Sequence, residues 1–132
     1  MKVFANEYET VDADAMLDFL KKLEQQSTAS QIHVILDNAR ANKNKKLDEY
    51  LKGSKIRLHY LPPYSPNLNP IERLWKILRE TTLYNRYYTS STDCFASIRA
   101  FFAEGIPKMR KVLEARITDR FQIIRPNPII LG

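Results

Sequence analysis

The chain has 132 residues, 44% of them hydrophobic and 27% charged, a balance that suits one folded domain or a large piece of one and excludes a disordered segment. Its net charge is +6, unevenly spread: residues 1–36 hold three Lys/Arg against six Asp/Glu, and residues 37–132 hold 18 against nine, which favours an anionic partner such as nucleic acid over the later three quarters. No apolar run approaches the ~20 residues of a membrane span, no basic stretch leads into an apolar one near Met1, three glycines leave no phosphate-cradling loop, and the single Cys94 permits no internal disulfide, so no membrane partner and a cytoplasmic location are expected.

Lys2–Phe4 reads as the end of a strand. From Asp12 to Gln25, apolar residues at Ala13, Met16, Leu17, Leu20 and Leu23 follow helical spacing, with Asp12 and Asp14 suited to the first turn. Ile32–Leu36 is short, β-branched and almost wholly apolar, and reads as a strand buried on both faces. It ends at Asp37. The stretch from Asn42 to Lys52 predicts a helix with Leu47, Tyr50 and Leu51 on one side and Gly53 as its stop. Lys55–Leu61 alternates, as a half-covered strand does.

Four prolines stiffen Leu61–Pro70, and Pro70 suits the first helical position after an Asn69 cap. The helix from Ile71 to about Thr81 is expected to bury Ile71, Leu74, Trp75 and Leu78. A patch of tyrosines around Arg86 follows (Tyr84, Tyr87, Tyr88). Further helices are predicted from Thr92 to Glu104 and from Pro107 to about Ile117, with an extended tail over Ile123–Gly132. Alternating strands and helices point to an α/β layered domain.

Two acids sit where α/β proteins place their chemistry. Asp37 follows a strand directly, and ligands of such sheets bind beyond the carboxyl ends of the strands. Glu72 lies in the first turn of a helix held by the proline loop, beside the end of another strand. Paired carboxylate oxygens suit Mg²⁺ or Mn²⁺, and two such ions align the attacking and leaving oxygens at phosphorus. Each acid also has an ordinary reading: an Asp after a strand is often a turn residue, and a Glu three places after an Asn cap fits a capping box.

The strings Ile35-Leu36-Asp37-Asn38-Ala39 and Leu61-Pro62-Pro63-Tyr64-Ser65-Pro66-Asn67-Leu68-Asn69-Pro70-Ile71-Glu72-Arg73-Leu74-Trp75 closely resemble the catalytic core of the IS630/Tc1/mariner transposase superfamily. The 34 residues between Asp37 and Glu72 match the spacing of its second and third catalytic acids. The resemblance covers residues 1–90, and the helices after that more loosely. It implies an RNase H-like fold and metal-dependent cutting and joining of DNA at transposon ends. It also implies that Asp37 and Glu72 are catalytic residues and metal ligands for Mg²⁺ or Mn²⁺. The family's first acid belongs to a strand expected before residue 1, so the chain reads as the later part of a DDE catalytic domain (1–90) with a helical C-terminal extension packed on it (91–132). Such a piece is expected to be inactive alone and to hold metal weakly. Substitution for the first acid by Glu7, Glu9, Asp12 or Asp14 is not expected.

Asn38, Arg40, Lys43, Lys45, Lys46, Tyr64, Arg73 and Arg86 are the candidate DNA contacts, mostly to phosphate and hence insensitive to sequence. His33 and His59 lie within strands and read as structural. In the strand order that the resemblance implies, the edge of Ile32–Leu36 lacks its neighbour, and a homodimer or higher oligomer is expected through that edge or the face beside it. A non-catalytic DNA-binding or dimerisation module that modulates a full-length transposase is the alternative reading.

Overall fold

The computed structural model describes residues 2–37, 43–63, 65 and 68–118. Residues 2–10 run as an extended segment without strand pairing, so the strand end expected at Lys2–Phe4 does not form. Among the described residues nothing lies alongside to complete a ladder there. Helix α1 (Ala13–Gln26) begins where Asp12 accepts a hydrogen bond from the Ala15 N–H at 2.9 Å. Strand β1 (Ile32–Leu36) leads to α2 (Lys45–Lys52), which Asn44 caps through the Leu47 N–H at 2.9 Å. Strand β2 (Ile56–Tyr60) returns parallel to β1, with Ile32 opposite Ile56 and Leu36 opposite Tyr60. Parallel strands cannot be joined by a hairpin, and α2 makes the crossover.

The sheet has these two strands among the described residues. Leu20, Leu47 and Ile56 are fully buried at the centre of a first core, with Ile32, Val34 and Leu58 packed around them. Helices α1 and α2 therefore cover one face only. His33, Ile35, Arg57 and His59 occupy the other face and are exposed, Ile35 at 56%. The all-apolar run of β1 predicted burial on both faces; the burial alternates instead, because no described element covers the second face.

Helix α3 (Ile71–Leu78) continues into a wider turn, Arg79–Leu83, closed by the Tyr84 N–H onto the Arg79 carbonyl at 2.8 Å. Helix α4 (Ser91–Ala100) widens likewise over Phe101–Gly105 before α5 (Ile106–Lys108) and α6 (Arg110–Arg116). Leu74, Ile77, Leu78, Phe101 and Leu113 form a second core. Ile71 and Trp75, expected inside, are 41% and 36% exposed, and Ile77 is buried instead, so the inward stripe of α3 is rotated from the expected one.

The segment 2–10 joins the two cores. Val3 packs on the second, while the Phe4 ring stands 5.2 Å from Phe19 of α1. The Tyr8 hydroxyl donates to Asp18 at 2.7 Å, and Glu7 holds Arg99 of α4 through two hydrogen bonds.

Glu24 ties the first core together. Its carboxylate accepts from the Tyr50 hydroxyl, from the Ser54 hydroxyl at 2.9 Å and from the Lys55 N–H at 2.8 Å, so the end of α1 grips the end of α2 and the start of β2. The Tyr50 hydrogen bond, then the Lys55 N–H, holds this carboxyl below its ordinary value of 4.5. A carboxyl depressed on folding contributes stability that is complete above the unfolded value and is lost as pH falls through the folded one. Glu24→Gln is therefore expected to lower stability at neutral pH, with the gap from the native chain closing as pH drops below 4.5. Urea unfolding at a series of pH values measures it, and a gap that stays constant into acid contradicts it.

Candidate functional site

Asp37 directly follows β1 and is exposed. The Leu61 N–H donates to the Leu36 carbonyl at 2.8 Å, so the ladder stays closed up to the residue before Asp37 and brings the start of the proline loop beside it. That loop ends at α3. The Asn69 side chain accepts from the Ile71 N–H at 3.2 Å, and its carbonyl accepts from the Glu72 N–H at 3.1 Å. Asn69 thus satisfies two of the free donors that open a helix. Glu72 sits in that first turn with its side chain exposed.

The other early acids are engaged elsewhere. Glu7 pairs with Arg99, Asp12 caps α1, and Asp14 meets Lys46 at 3.2 Å. The Arg99 hydrogen bonds lower the Glu7 carboxyl below its usual range. Among the described residues no group of three or more His, Cys, Asp and Glu is arranged to hold a metal ion. Two exposed carboxylates remain, which are oxygen donors of the kind hard divalent cations take.

The candidate DNA contacts divide. Asn38, Arg40 and Tyr64 lie outside the described residues. Lys43 is exposed, its ammonium 5.4 Å from the centre of the Tyr60 ring. Lys45 is exposed beside it, whereas Lys46 is held by Asp14. Arg73 is half-buried and donates to the Thr118 carbonyl, which fastens α3 to the end of α6. Arg86 is exposed in a turn where Asn85 adopts a positive φ of 56°, between Tyr84 at 56% and Tyr87 at 91% exposure.

Sequence reasoning missed an open groove of about 1090 Å³ between the segment 2–11 and helices α3 and α4. Val3, Trp75, Phe95 and Phe102 line it, and Trp75 meets Phe102 edge to face at 6.2 Å. The only sequence signal was Trp75 and Phe95, both more exposed than their type suggests.

The profile of the DDE superfamily endonucleases matches residues 1–94. The chain belongs to this family. The relatives place this DDE endonuclease with the IS630 type. An insertion element IS630 protein of 39 kDa from Shigella sonnei is 34% identical over 80 residues, covering 60% of this chain and 23% of its own. A protein of Sinorhizobium fredii (strain NBRC 101917 / NGR234), described as uncharacterized protein y4pE/y4sA, is 32% identical over 109 residues, 82% of this chain and 78% of its own. The chain thus spans less than a quarter of the first relative's length and over three quarters of the second's. No solved structure matches it. DDE endonucleases as a family use divalent metal ions, and no helix among the described residues of this one is long and apolar enough to cross a membrane.

Asn69 fixes the start of the helix that carries Glu72. Asn69→Ala is expected to cost about 1 kcal/mol of stability, as loss of an Asn cap does. Denaturant midpoints measure this, and an unchanged midpoint means Pro70 alone sets the helix start.

Proposed function

We propose that the chain is the part of an IS630-type DDE transposase catalytic domain that carries its second and third acids. The complete enzyme would cut DNA and join strands at transposon ends with Mg²⁺ or Mn²⁺. The observation that carries this reading is the launch of both acids from one end of one parallel pair. Asp37 leaves β1, and the loop to Glu72 leaves β2 one hydrogen bond away, within the residues that match the family. In this reading residues 1–90 are the later strands and helices of an RNase H-like fold, and residues 91–132 are a helical extension. Packing of α3 against Phe101 and Leu113 supports the extension.

Asp37 and Glu72 would hold the metal, which supplies a charge that aligns and activates the oxygens at phosphorus. Mg²⁺ keeps its waters and needs several anchors, so two carboxylates hold it poorly and the chain alone does not cleave DNA. The partner is DNA, met at phosphate by exposed cations such as Lys43, Lys45 and Arg86. Two copies associate along the outer edge of β1, which is unpaired among the described residues.

Titrating Mn²⁺ by calorimetry into the native chain, Asp37→Ala and Glu72→Ala tests the site. Weak binding lost in both variants is expected, and equal affinity in Asp37→Ala removes Asp37 from it. Affinity for transposon-end and scrambled duplexes is expected to be similar and to fall steeply with salt; strong preference for one sequence contradicts this. Light scattering after size exclusion is expected to return at least a dimer, and Ile35→Lys, on the open face of β1, to shift it towards monomer.

A further inference from the structure

Two imidazoles face each other on the open side of the sheet. In the parallel register Ile35 lies opposite His59 and His33 opposite Arg57, so the histidines are diagonal neighbours on one exposed face. His33 Nδ1 and His59 Nε2 are 2.8 Å apart, with the rings stacked at 5.1 Å between centroids. His33 Nε2 lies 3.2 Å from Gln31 Oε1. An amide oxygen only accepts, so Nε2 carries the His33 proton and Nδ1 presents a lone pair. His59 Nε2–H donates to that lone pair.

We propose that His33 and His59 form a binding site for a divalent transition-metal ion of the Zn²⁺, Ni²⁺ and Cu²⁺ class, separate from the carboxylates Asp37 and Glu72. Three features support it. Nitrogen ligands stand about 2.0–2.1 Å from such an ion, so two of them at a right angle are about 3.0 Å apart. The observed 2.8 Å is within a few tenths of that span. The far N–H of His33 already rests on the Gln31 oxygen, the outer contact that orients a metal-bound histidine and fixes its tautomer. Imidazole nitrogen suits Zn²⁺, Cu²⁺ and Ni²⁺, whereas carboxylate oxygen suits Mg²⁺ and Mn²⁺, so ion type separates the two sites.

Binding needs the bridging proton to leave the space between the rings. His59 takes it on Nδ1 by way of solvent, both rings stay neutral, and the two facing nitrogens become ligands. Water fills the remaining positions on this exposed face. Arg57 shares the face, but its guanidinium donates to the carbonyls of Ser54 and Ile56 at 3.0 Å each, which turns it towards the start of β2.

The chain has two histidines, so their ring-proton signals report on this site without any substitution. Adding Zn²⁺ to the tag-free chain is expected to shift or broaden both histidine signals in step. Calorimetry with Zn²⁺ is expected to give one ion per chain. His33→Gln and His59→Gln should each weaken it by at least the roughly ten-fold that losing even an outer contact costs. Asp37→Asn should leave Zn²⁺ affinity unchanged. Histidine signals that ignore millimolar Zn²⁺, or Zn²⁺ affinity that survives in folded His59→Gln or falls only in Asp37→Asn, overturn the proposal.

Discussion

The parallel pairing of β1 and β2 is the constraint on which the rest of the structure depends. Two strands pointing the same way put their carboxyl ends side by side, so whatever follows each strand begins at the same edge. Asp37 follows one and the proline loop follows the other, linked through Leu36 and Leu61. An antiparallel hairpin of the same ten residues would send Asp37 and Leu61 to opposite ends. The crossover helix α2 makes the parallel arrangement reachable, and Leu47 buries it against Leu20 and Ile56.

Polar contacts then decide how firmly that pair is held. Glu24 reaches from α1 to three donors at the α2–β2 junction, and each would otherwise lie at a partly covered chain end. Charged hydrogen bonds of this kind are stronger than neutral ones. Exposed pairs such as Arg110 with Glu114 add far less, because water screens them. The segment 2–10 plays the matching part between the two cores, with Glu7 on α4 and Tyr8 on α1.

The division of labour among the acids follows from the same contacts. Glu7, Asp12, Asp14, Asp18 and Glu24 each meet a named structural partner in the first quarter of the chain. Asp37 and Glu72 stand instead at the ends of regular elements, exposed, where family membership and chain topology direct attention. Their use in catalysis is a reading built on position, and the metal titration bears on it directly.

Local signals in the chain determined its helices and their starts. Asp12, Asn44 and Asn69 act as caps because a short polar side chain can reach the first free N–H groups without help from distant residues. The strand at Ile32–Leu36, the family strings around Asp37 and Glu72, and the basic later part were equally plain. Burial was not, because it depends on which elements arrive from elsewhere. An apolar run cannot say that only one of its faces will be covered, so Ile35 lies exposed where a two-sided strand was expected. The rotation of α3 that buries Ile77 and leaves Trp75 on a groove was set by Phe101 and Leu113, more than 20 residues downstream. Arg73 was drawn inward by the Thr118 carbonyl, and His33 and His59 met only because two strands 24 residues apart align in one register. Caps and periodicity act within a few residues and can be read along the chain; register, covered faces and side-chain partners are decided by long-range packing, which only the tertiary structure supplies.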